Sequence, residues 1–248
     1  MICDRNIVKD RTNMTPTLAN IRGTFFTNKP IEVDYEKSMK IVTALQAYQL
    51  FPFPVNGFSF QIGPNGMIPA TLTSYEFRNS NNSLNISIGP DRVDVNQCKK
   101  FDSIEQAFRE TANLCKQVIV AFHSSLDFKE TRLALASTWI LANNNIEAIS
   151  EKFLQPERTE NLVEWENRRV ERKLLQSIGA QVNYGHKIAR SQIKLPVEVA
   201  LADRLFIETD INTIPLPPDF LNAEKNDCFF ENAVEVSNGI ILENFSKL

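Results

Sequence analysis

A chain of 248 residues with 43% apolar and 23% charged side chains has the composition of a folded globular protein, which excludes wholesale disorder. Its formal net charge of -3 gives no whole-molecule cationic field, so non-specific attraction to nucleic acid or anionic lipid is not expected. No stretch nears the ~18 consecutive apolar residues of a membrane span. The N-terminus lacks the apolar run of a signal peptide. The four cysteines, Cys3, Cys98, Cys115 and Cys228, form no C-x-x-C pair. The expectation is a soluble cytoplasmic protein with reduced thiols, no bound metal, no cofactor and no membrane partner.

In chain order, residues 1–19 are polar, carry Pro16 and read as an N-terminal arm. Strand-like alternation begins at Ile21, with Gly23 and Phe25 on one side and Arg22, Thr24 and Phe26 on the other. A helix is predicted from Asp34, a suitable N-cap, to about Gln49, with Ile41, Val42, Leu45 and Tyr48 on one face. The prolines of Phe51 to Gly57 are expected to end it. Short strands separated by turn signals follow over 57–62, 70–78, 84–88 and around Val93 and Val95. Leu84, Ile86 and Ile88 alternate with Asn85 and Ser87, the pattern of a sheet with one wet face. The clearest helix spans Ser103 to about Ser124, with Asp102 and Glu105 as a capping-box start and Cys115 on its apolar face. Thr131 to Leu141 reads as a central strand.

Residues 20–145 therefore give β-α-(β meander)-α-β, the order of a split βαβ unit with extra hairpins. The best boundary is Asn143 to Asn145. Beyond it a short helix is expected near 146–154, then three long strands near 161–175, 180–194 and 199–213, a proline stop at Pro215 to Pro218, and a C-terminal helix. The fold class is α+β on antiparallel sheet, with 146–248 as a second module or as a continuation of the first. Arg204 to Asn212, the proline-bearing linker and Glu231 to Phe245 together resemble the end of a sporadically distributed bacterial α+β family of unknown function. The resemblance implies a bacterial cytosolic protein of this order of elements and carries no activity or site residue.

Three constellations could carry chemistry. Glu171 and Lys173 form a strand-borne Glu-x-Lys, and Glu157 lies upstream. Such a set resembles a restriction-type nuclease core, in which two acids hold Mg²⁺ and the lysine orients water. The competing reading is a solvated strand with paired charges. A basic cluster follows: Arg168, Arg169, Arg172, Lys173, Lys187, Arg190 and Lys194, with Trp165, Tyr184 and His186 nearby. On one sheet face these would suit RNA, and His186 would be a candidate general base. Charges alternating over both faces would instead split the patch. Glu208 and Asp210 share a face about 7 Å apart and are expected to pair with Arg204 and the neighbouring basic strands. No phosphate loop, nucleophile elbow, zinc-protease motif or dinucleotide fingerprint occurs. The preferred expectation is a non-enzymatic protein that binds a protein partner or a second copy of itself; the alternative is a nucleic-acid-binding or metal-dependent cleaving protein using 157–194.

Overall fold

Local chemistry sets the helix starts. In the computed structural model, described over residues 17–63, 66–141, 164–193 and 202–246, helix α1 (Tyr35–Ala44) is capped by Asp34, which accepts from the Lys37 amide at 2.8 Å. It stops short of the predicted Gln49, and one 3₁₀ turn (Gln46–Tyr48) follows, closed by Gln49 in the left-handed region. Helix α2 (Ile104–His123) is capped by Ser103, whose hydroxyl accepts from the Gln106 amide at 3.1 Å. Gln106 Oε1 reaches back to the Asp102 amide at 2.9 Å, so the reciprocal cap uses Ser103 and Gln106 rather than Asp102 and Glu105. Helix α3 (Ala223–Ser246) begins at Asn222, which accepts from the Lys225 amide at 2.9 Å.

The strands are β1 (Thr17–Thr27), β2 (Phe51–Gly63), β3 (Gly66–Arg78), β4 (Leu84–Ile88), β5 (Arg92–Gln97), β6 (Glu130–Leu141), β7 (Trp165–Leu175), β8 (Ala180–Ile193) and β9 (Ala202–Thr213). They form one sheet in the order β2-β3-β4-β5-β1-β6-β9-β8-β7, with every neighbouring pair antiparallel. β5 and β6, joined by α2, flank β1 and make one split βαβ unit at the centre, while β1 and β2, joined by α1, stand with three strands between them. Strand β2 starts at Phe51, earlier than the strand expected from Gly57, and includes Pro52 and Pro54. An edge strand tolerates them, because its outer amides have no ladder partner. Across the expected boundary the sheet continues, since β6 pairs with β9 from Ala134↔Asn212 to Leu141↔Leu205. The expected 146–154 helix, most of the N-terminal arm, Glu157 and Lys194 lie outside the described residues.

All three helices lie in one layer: α2 packs on β1 and β5, α3 on β9 and β6, and α1 on α2. Among the described residues no helix packs on the opposite face. The covered face is apolar and aromatic. Phe25 meets Phe122 edge-on at 5.9 Å and stacks with Phe128 at 5.8 Å, and Phe108 meets Trp139 at 6.0 Å. Phe25, Phe77, Phe108, Phe122, Phe229 and Phe230 are all fully buried, each worth roughly 1.5–3 kcal/mol of transfer free energy. No described helix is long and apolar enough to cross a membrane.

Helix α2 sits on β1 at Gly23, where an added methyl would overlap the Cys115 sulfur and crowd its Cβ. Burial holds the Cys115 thiol protonated, its pKa pushed far above the usual thiol range. Gly23→Ala is expected to cost about 1–3 kcal/mol in urea unfolding. In a double-mutant cycle with Cys115→Ala, part of that loss should be recovered, a coupling of about 1 kcal/mol; strict additivity would show that the contact does not set the layer spacing.

Candidate functional site

Side chains alternate across a strand, so the ladder registers decide which residues share a face. Thr209 is buried and hydrogen-bonds Ser137, which takes the indole N–H of Trp139 under α2, so this set marks the helix side. His186 pairs in register with Thr209, Arg169 with His186, Glu171 with Tyr184, and Trp165 with Arg190. These residues and Lys173 therefore belong to the helix side, and Tyr184 confirms it by donating to Asn232 of α3 at 2.9 Å. Arg168, Arg172 and Lys187 belong to the bare side, with Arg22, Arg132, Glu208, Asp210 and Asn212.

The basic cluster is thus divided between two faces, and most of its described members are engaged. Arg190 is buried and forked onto Asp203, with N–O distances of 2.6–3.1 Å. Trp165 is buried beside it in register, at the end of the core. Lys173 pairs with Glu171 at 2.5 Å along the exposed edge strand. That hydrogen bond holds the Glu171 carboxyl below, and the Lys173 ammonium above, their ordinary pKa ranges. Lys187 bonds Glu208 at 2.8 Å and approaches Glu166 at 3.8 Å. Arg172 donates to Asn183 at 2.8 Å. Among the described residues Arg168 has no ion-pair partner, and no three His, Cys, Asp or Glu side chains converge as a cation site. Glu157, the upstream acid of the Glu-x-Lys reading, lies outside them.

The bare face carries its own polar lattice. Arg172 bonds Asn183, Asn183 bonds Asn212 at 3.0 Å, and Asn212 also takes Arg132 at 2.8 Å while donating to Asp210 at 3.0 Å. This chain crosses β7, β8, β9 and β6, and Arg132 ends it over the Phe26 ring of β1 at 5.1 Å. Farther along, Asp94 of β5 takes Thr24 at 2.6 Å, Arg92 at 3.0 Å and Arg22 at 3.8 Å. Every hydrogen bond here joins side chains, because the backbone groups are committed to the ladders.

Between these lattices lies a trough of about 340 Å³ lined by Arg22, Thr138, Arg168, Lys187, Glu208 and Asp210. Its floor is made of small residues, Ala136 and Gly185. A Cβ at Gly185 would stand 3.0 Å from the Asp210 carbonyl oxygen, so a larger residue there would need the neighbouring backbone to shift. β1 and β7 both contribute to the rim of the trough although four strand spacings, about 19 Å in a flat sheet, separate them. Sequence reading found Glu208 and Asp210 on one face and their basic neighbours. It missed Arg22, Arg132, Thr138 and Asn212, for which the only local signal was alternation of polar with apolar residues.

Asp203→Asn should cost about 1–3 kcal/mol in thermal or urea unfolding, since it replaces a charged partner of the buried Arg190 guanidinium by a neutral amide. Glu171→Gln should leave the unfolding midpoint close to wild type, because its partner is as exposed as it is. Equal losses from both would contradict this division into buried and solvated pairs. The sequence matches no family model and no curated protein.

Proposed function

We propose that this protein is a non-enzymatic interaction module that engages a partner protein through the trough-bearing face of its sheet, on which no described helix packs. The observation that carries the reading is the trough itself: a concavity floored by Ala136 and Gly185 and rimmed by charges of both signs. A mixed rim suits a protein partner, whose surface also carries both signs. A nucleic-acid face needs clustered cations left free for phosphates. Here Lys187, Lys173 and Arg190 are neutralised by acids, and the basic residues of β7 and β8 point to both sides of the sheet. No group of residues in hydrogen-bond contact combines a nucleophile, a base and an orienting acid among the described residues. The free thiols of Cys98, Cys115 and Cys228 fit a reducing, cytosolic setting.

The test is capture by cross-linking in native lysate, with variants that fill the trough. Ala136→Arg and Thr138→Arg should abolish capture of a partner that wild-type protein and a Val120→Ala control on the outer surface of α2 both retain. Melting curves close to wild type would show that the fold survives. A partner still captured by both trough variants, or low-salt binding of labelled RNA or DNA as tight as any protein contact, would overturn the proposal.

A further inference from the structure

The trough does not end at its cationic rim. A second cavity of about 470 Å³ adjoins it and shares Thr138, Lys187 and Glu208, and adds Glu164, Glu166 and Phe206. Together they form one groove along β8 and β9 with two electrically different ends. At the shared neck Lys187 and Glu208 neutralise each other at 2.8 Å. With that pair set aside, one end holds Arg22 and Arg168 against Asp210, and the other holds Glu164 and Glu166 beside Arg190, whose guanidinium is already forked onto Asp203. Strand β7 and the residue before it present the change of sign directly, because Glu164, Glu166 and Arg168 alternate onto one face. Ser191 holds the Glu164 carboxylate at 2.7 Å, and Glu166 is well exposed. Arg204, in register with Ser191 on the same face, lies outside the lining of the groove.

From Phe206 to Asp210 the groove runs about 14 Å at strand spacing, the length of an extended tetrapeptide. An occupant on a sheet face gains no ladder hydrogen bonds, since β8 is paired on both sides by β7 and β9, and β9 by β8 and β6. Recognition must come from side chains, and here the side chains offer a charge dipole across a neutral, small-residue floor. Building on the interaction reading above, we infer that the groove seats an extended peptide segment of the partner, with an acidic side chain at the Arg22 and Arg168 end. A basic side chain three or four residues away would lie at the Glu164 and Glu166 end. Phe206 and the Thr138 hydroxyl would contact the short or polar residues between them.

The experiment is selection of a displayed random hexapeptide library on the full chain, followed by calorimetry with the synthetic consensus. Enriched peptides should place Asp or Glu three or four positions from Lys or Arg. Arg168→Glu and Glu166→Lys should each weaken the consensus by at least about tenfold, the scale of a lost charge pair at a partly desolvated site, with melting curves close to wild type. The double variant should prefer the peptide with its two charges exchanged, a reversal that a damaged fold would not produce. Uniformly acidic or apolar selected sequences, no enrichment, or a consensus indifferent to both substitutions would overturn the inference. If partner capture is lost in Ala136→Arg while selection yields no dipolar peptide, the interaction reading stands and only the peptide assignment falls.

Discussion

The contact on which the rest of the architecture depends is the seating of α2 on β1, where Cys115 occupies the space that a side chain at Gly23 would need. Close approach at that one point brings Phe108 and Phe122 down onto Trp139, Phe25 and Phe77. The buried Phe25 is in turn stacked on Phe128 from the segment leading into β6. The helix layer and the two central strands are therefore one packed unit. Cores of this density forfeit dispersion energy when a gap opens by even an ångström.

A sheet covered on one side has to solve a second problem on the other. Among the described residues no helix packs on that face, and long unpaired charges there would neither stiffen it nor define its shape. The chain instead uses short amides and carboxylates as connectors: Asn183, Asn212 and Asp210 on one side of the trough and Asp94 on the other. Asn183, Asn212 and Asp94 join side chains from neighbouring strands, so the lattice ties strand to strand independently of the backbone ladder. Where the lattice stops, Ala136 and Gly185 leave a hollow. A polar surface already satisfied internally loses little when a partner covers it, which suits recognition by added contacts rather than by displaced ion pairs.

Charge placement follows the same division. Arg190 with Asp203 is a buried fork at the end of the core, whereas Lys173 with Glu171 is a solvated pair on the last strand. Arg190 and Lys173 lie in a stretch of sequence where Lys and Arg outnumber acids, yet one belongs to stability and the other to the solubility of an exposed edge. Charged side chains on β7 also discourage unplanned pairing of its free hydrogen-bonding edge with other chains.

Much of the fold was legible from local patterns. The period of α2 from Ala107 to Phe122, the polar alternation of β4 and the long alternating run of β9 each specify an element without outside help, because each buries one face only. That Pro52 and Pro54 lie inside β2 was not legible, since whether a strand is an edge is a property of the whole sheet and not of the segment. The capping residue of α2 moved by one position, a choice among adjacent acceptors that local sequence leaves nearly degenerate. The site was legible only in part. Glu208 and Asp210 could be placed on one face because they share a strand, but Arg22, Thr138 and Arg168 come from three strands whose neighbours depend on the pairing of β1 with β6 and of β9 with β8. The sequence by itself determined the elements, their antiparallel class and the one-sided apolar pattern. Only the tertiary structure decided that the two halves share one sheet and that the basic residues of β7 and β8 divide between its faces. Strand order and register are set by long-range pairing, and a shift of one residue in that pairing exchanges the two faces.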